Sequence, residues 1–191
     1  MSSPPERVLD AIQRRSLLDL ARRTINEAVI HQRLPEQIPS EGIFAERHGV
    51  FVTVHSRGKL RGCIGVVEGH EPLGQGIVHA AASAALQDPR FSRIRPDELD
   101  DLTIEISILS PMTPVRPEEV QIGRHGLLVV SGRDRGLLLP QVAVEHQLTR
   151  EEFLEETCLK AGLPRDAWKD DEVLLFAFTC EICGDGQTAA P

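Results

Sequence analysis

The segment Leu60-Arg61-Gly62-Cys63-Ile64-Gly65 sets a thiol two residues from a guanidinium and brackets it with two glycines. On an extended strand, Arg61, Cys63 and Gly65 would share one face, with Gly62 and Ile64 on the other. Glycine weakens a strand and marks a bulge or a close approach to the backbone. Main-chain N–H groups opened by Gly62 and Gly65, beside the Arg61 cation, would suit a carboxylate or a phosphate. A neighbouring guanidinium favours the thiolate, which makes Cys63 a candidate nucleophile. Two other readings stay open: Cys63 lines a site without covalent chemistry, or it is a small core residue beside a bulge.

A nucleophile needs a base, and the histidines nearest in sequence are His55, just before a turn, and His79, on the following helix. Asp88-Pro89-Arg90-Phe91 offers an acid and a base two positions apart. Asp88 and Pro89 suit a helix end, Phe91 suits an anchor in the core, and Arg90 is a candidate anion clamp. Glu105 interrupts an apolar strand, as a ligand-binding or acid–base carboxylate or as a solvent-facing side chain. Cys180-x-x-Cys183 is half of a zinc site or a redox pair, and no second pair of that spacing exists. Phosphate-binding and dinucleotide glycine motifs are absent, as are the zinc-protease helix and the serine-hydrolase elbow. No cofactor follows from the sequence.

These residues sit on a chain of 191 residues, enough for one domain or a domain with a smaller lobe. Its 41% hydrophobic and 26% charged content is that of a globular protein. No stretch approaches the roughly 18 apolar residues that span a bilayer. The start, Met1 to Arg7, lacks the apolar core of a signal peptide. A cytoplasmic protein without membrane partners is expected. The net charge of -8 disfavours nucleic acid as a partner. Even so, six bases face three acids from Arg57 to Arg95, a patch suited to a small anionic ligand and still open to RNA.

The elements follow from spacing. Ser16 to His31 predicts an amphipathic helix capped by Ser16 with Asp19. Gly49 to His55 and Leu60 to Val67 predict a hairpin around Ser56–Lys59. A helix is expected from Pro72 to Gln87, a helical turn at Pro96–Leu99 and a half-buried strand from Thr103 to Ser110. Short strands are expected at Leu127–Ser131 and Gly136–Leu139, then a helix capped by Thr149 and Glu152 that ends at Gly162. Val173 to Cys180 reads as a final strand. The fold class expected is α+β with a mostly antiparallel sheet flanked by helices.

The chain resembles the AMMECR family. The resemblance is carried by Leu60–Gly65, Gly49–Thr53, Asp88–Phe91, Ile104–Ser107, Gly136–Val142, Phe153-Leu154, Lys160–Leu163 and Ala167-Trp168, and it extends from about Ser16 to Phe178. It implies a two-lobed α+β protein with a cleft between the lobes. The larger lobe would span about 16–110 plus the C-terminal strand, and the smaller about 111–165. Residues 1–15 would be an extension and 181–191 a flexible tail. It also implies association with a Memo-like protein and a radical-SAM protein. Two uses of the Leu60–Gly65 segment follow: an enzyme or enzyme component that holds an anionic, nucleotide-like molecule, or a non-catalytic module that docks to such a partner.

Overall fold

Asp10 starts the first helix. Its carboxylate accepts the Gln13 N–H at 2.8 Å, and the Gln13 side chain accepts the Asp10 N–H at 3.0 Å. This reciprocal box satisfies two helix-end donors, so α1 runs Ala11–His31 and begins five residues before the expected Ser16 cap. The computed structural model describes residues 8–185. The order is α1, β1 Val50–Ser56, β2 Lys59–Val66, α2 Leu73–Leu86, β3 Leu102–Leu109, β4 Thr113–Pro114, β5 Gly126–Ser131, β6 Asp134–Leu138, α3 Pro140–Glu145, α4 Arg150–Lys160, β7 Leu174–Phe178 and β8 Cys180–Gly184. The chain divides into two compact units, one of residues 8–109 with 181–185 and one of residues 110–180. No helix among the described residues is long and apolar enough to cross a membrane.

In the first unit the sheet order is β2-β1-β3-β8, and β1 pairs antiparallel with β2 and with β3. Alternation turns Val50, Val52, Val54, Ile104, Ile106 and Ile108 to one face, all buried. They join Leu17, Leu20 and Ile25 of α1 and Leu73, Ile77 and Ala81 of α2 in a single core. Each large aliphatic side chain there contributes at most about 1.5–3 kcal/mol. The other face carries Phe51, Thr53, Glu105 and Cys63.

The second unit has its own sheet, β4-β7-β5-β6, antiparallel throughout. Thr149 and Glu152 cap α4 as expected, and Gly162 takes φ +78° just past its end. Gly136 of β6 faces α4 so closely that a Cβ would lie 2.3 Å from Ala161 N. Phe153, Leu154 and Cys158 of α4 pack on Leu127, Val129 and Ala177.

Two expectations fail at the C-terminal end. β7, expected to complete the larger lobe, instead lies between β4 and β5 of the smaller unit's sheet. Residues 181–184, expected in a flexible tail, belong to β8 at the edge of the first sheet, while 186–191 lie outside the described residues. The cause is a set of contacts distant in sequence. Arg14 pairs with Glu181 and donates to the Ile182 carbonyl at 2.8 Å. Asp185 pairs with Arg22 and accepts the Ile104 N–H at 2.7 Å. The expected 1–15 extension likewise ends early: residues 11–15 are the first turns of α1, and 1–7 lie outside the described residues.

Candidate functional site

The hairpin sets the position of Cys63. Arg57 and Gly58 both take positive φ, 50° and 75°, as a two-residue type I′ turn requires. The register begins at Ser56↔Lys59 and His55↔Leu60, then jumps to Val54↔Gly62. Arg61 is the extra residue at that bulge, and alternation from it onward turns Gly62 and Ile64 to the core side and Cys63 and Gly65 to the other. The shift puts Cys63 opposite Thr53, and Thr53 lies opposite Glu105 of β3. Cys63, Thr53 and Glu105 thus form one row across three strands on the face turned away from α2. The Thr53 hydroxyl donates to Cys63 Sγ at 3.3 Å.

Packing accounts for both glycines. Gly62 points into the helical layer, where a Cβ would stand 2.1 Å from the Ala84 carbonyl oxygen of α2. Gly65 makes room for its cross-strand neighbour: a Cβ there would lie 2.6 Å from the Phe51 ring and 2.2 Å from the Val50 carbonyl oxygen.

Arg61 is likewise committed within the protein. Its Nε and Nη2 donate to the two Glu98 carboxylate oxygens at 2.9 and 3.1 Å. Nη1 donates to the Ser92 carbonyl at 2.6 Å and Nη2 to that of Arg93 at 3.0 Å. The side chain is 14% exposed. This fork ties the bulge to the 92–98 segment and holds the Glu98 carboxyl below its usual range. Arg61 thus clamps the bulge to the 92–98 segment.

Sequence reasoning missed the role of Asp88. β2 is an edge strand, and Cys63 turns its N–H and C=O off that edge. Asp88 Oδ2 accepts the Cys63 N–H at 2.9 Å, and Arg90 Nη2 donates to the Cys63 carbonyl at 3.2 Å. Arg90 also donates to Asp88 through its main-chain N–H at 3.1 Å, Nε at 3.0 Å and Nη2 at 2.7 Å. The Asp88 side chain is 1% exposed. The Arg90 hydrogen bonds hold its carboxyl well below the usual carboxylate range despite the opposing cost of burial. The carboxylate expected from a ligand at the Cys63 N–H is therefore the protein's own. The available signal was the acid two residues before Arg90, an Asx-turn spacing.

Arg90 remains the expected cation in an accessible place. Its side chain is 55% exposed, packs over the half-buried Phe91 ring at 5.3 Å, and makes its side-chain hydrogen bonds among the described residues through Nε and Nη2.

The remaining candidates stand further off. Glu105 is half-buried and lies two strands from Cys63, about 10 Å between backbones, too far to take the thiol proton directly. His55 lies two residues along β1 from Thr53 on the same face. His79 is on α2 with its Nδ1 2.8 Å from Glu71, in the layer behind the sheet. Cys180 and Cys183 sit three apart on one strand, a spacing that alternation sets on opposite faces. Cys183 is 1% exposed in the core. No group of three or more His, Cys, Asp or Glu among the described residues is placed to hold a metal ion.

Known proteins share this arrangement of elements. The family model described as AMMECR1 matches residues 18–183. A protein of Methanothermobacter thermautotrophicus is 44% identical over 178 residues, 88% of this chain and 92% of that one. A protein of Thermococcus kodakarensis is 45% identical over 180 residues, 87% of each chain. The crystal structure of an uncharacterised protein from Pyrococcus horikoshii matches with a TM-score of 0.82 at 39% identity, over 92% of this chain and 93% of that one. The α+β class expected from the sequence holds.

Proposed function

This chain belongs to the AMMECR1 family, and from that premise we propose that it binds a small anionic molecule against Arg90 and Cys63, as an enzyme or a component of one. The observation that carries the reading is the state of Arg90. A buried carboxylate fixes its guanidinium through Nε and Nη2, Nη2 also donates to the Cys63 carbonyl, and the side chain is still 55% exposed. A cation held in advance loses little freedom on gripping a carboxylate or phosphate. Cys63 then faces the bound molecule with its sulfur already hydrogen-bonded by Thr53. With no base in hydrogen-bond contact among the described residues, Cys63 serves as a contact surface or as a nucleophile whose proton leaves to solvent or to the ligand itself.

Two alkylating reagents test this. Iodoacetate is an anion and iodoacetamide is neutral, and they deliver similar carbon to sulfur. Mass spectrometry of the intact protein should show iodoacetate reacting at Cys63 with a relative rate several-fold above that for glutathione. Arg90→Gln should return the ratio to the glutathione value. A wild-type ratio equal to that of glutathione would discard the site. The shared pathway with Memo-like and radical-SAM proteins belongs to the same proposal, and failure of the purified proteins to co-elute at high concentration would remove that part.

A further inference from the structure

We infer that the groove between α1 and α2 is a second binding site, for a small amphiphile with an apolar body and one anionic head. It measures about 630 Å³, within the range of small-molecule pockets. It lies in the helical layer, behind the sheet face that bears Cys63. Its floor is apolar: Ala28 and Val29 of α1, Leu34 just past it, Ala82 and Leu86 of α2, and Ile94. On α2 the lining residues His79, Ala82, Ser83, Leu86 and Gln87 follow helical spacing, a stripe about 12 Å long.

Charge selects the ligand. The ionisable residues lining the groove are Arg33, His79 and Arg93, with no acid among them, on a chain of net charge -8. Arg33 is paired with Glu27 at 2.8 Å and His79 with Glu71 at 2.8 Å. Arg93 has no carboxylate within ion-pair distance among the described residues. Its backbone is nevertheless pinned: its carbonyl accepts Arg61 Nη2 at 3.0 Å, and the next N–H, of Ile94, donates to the Ala85 carbonyl at 2.9 Å. The result is a fixed stem carrying an uncommitted cation at one end of an apolar trough.

The helix ends locate the head group. The last turns of both α1 and α2 border the groove, and helix C-termini repel anions through their outward carbonyls. The anion therefore sits at Arg93, and the apolar body lies along Ala82 and Leu86. A carboxylate on a chain of about eight to ten carbons matches the stripe in length and chemistry.

Decanoate and decanol, both below their aggregation limits, separate the charge from the chain. Each is titrated into the full-length protein against bound 8-anilinonaphthalene-1-sulfonate, an aromatic anion whose fluorescence reports occupancy. The expected result is one saturable dye site from which decanoate competes about tenfold better than decanol. Arg93→Gln, which leaves the main-chain contacts in place, should abolish that preference. Ala82→Leu should weaken both competitors about tenfold or more by filling the floor, with an unchanged circular-dichroism spectrum. Equal competition by decanoate and decanol in the wild type would overturn the proposal. So would a preference that survives Arg93→Gln, or a self-association seen by sedimentation that excludes the dye.

Discussion

The carboxylate of Asp88 accepts the main-chain N–H of Cys63 at 2.9 Å, and through that bond a loop side chain closes the open edge of a β-strand. The same carboxylate holds Arg90 by three donors. Asp88→Ala should lower stability by about 2 kcal/mol through loss of charge-assisted hydrogen bonds to a buried acceptor, read as a lower denaturant midpoint. Its pH dependence has a fixed sign. The folded-state carboxyl is depressed, so its contribution is complete above the unfolded value near 4 and is lost as pH falls below it. Wild type should weaken more steeply than Asp88→Asn between pH 5 and pH 2. Parallel curves would sink the assignment.

Arg61 and Arg90 should separate cleanly by measurement. Lysine cannot reproduce the fork that Arg61 makes to Glu98 and to two carbonyls. Arg61→Lys should cost about 1–2 kcal/mol and lower Tm by about 3–6 °C, while the iodoacetate preference at Cys63 stays as in the wild type. Loss of that preference in Arg61→Lys, with Tm unchanged, would reverse the two roles.

The cysteines should react in a defined order. Cys158 is fully buried, and burial pushes its thiol up. Cys63 is half-buried with a hydroxyl on its sulfur. N-Ethylmaleimide should therefore modify Cys63 at least about tenfold faster than Cys158 at pH 7.5. Thr53→Val should slow Cys63 alone, because it removes the donor that steadies charge building on sulfur. Peptide mapping over a time course checks both, and equal slow modification of the two thiols would refute the order.

His125 is 2% exposed, its Nδ1 accepts the Gln121 N–H at 3.3 Å, and its Nε2 has no hydrogen-bond partner. Burial lowers its folded-state pKa, so near pH 6 the unfolded chain binds the extra proton. Stability from this residue is present above the unfolded value of about 6.5 and is lost as pH falls through it. Chemical denaturation from pH 7.5 to pH 5 should show a decline that is shallower in His125→Asn, which keeps an acceptor for Gln121. An unchanged slope in the variant would assign the decline to other groups.

Local patterns carried most of the elements. The hairpin, α2, β3, and the box and αL exit of α4 all follow from neighbours within about four residues. The start of α1 was also local, in Asp10 and Gln13, but Ser16 with Asp19 offers a rival signal nearer the apolar stripe. What was not legible depends on register and on distant partners. Strict pairing from the Arg57-Gly58 turn sets Cys63 opposite Val52, which faces the core. The bulge at Arg61 moves it by one and turns it outward beside Thr53. Nothing short-range announces that bulge, which is tied down by Glu98, 37 residues away. The glycines show the same limit. Their spacing signalled a close approach, and only the fold reveals that the visitors are Ala84 and Phe51.

The pairing of β8 with the first sheet has a bearing on how the chain is made. Between Leu109 and Cys180 the ribosome must produce the whole intervening unit before the last strand exists. At usual synthesis speeds that interval is roughly 4–15 s. Throughout it, β3 presents an unfilled margin, and Arg14 and Arg22 await their acids. Birth of the protein thus includes a pause in which the earlier half is built but unlatched, and a chain stopped before Cys180 would leave the latch unmade.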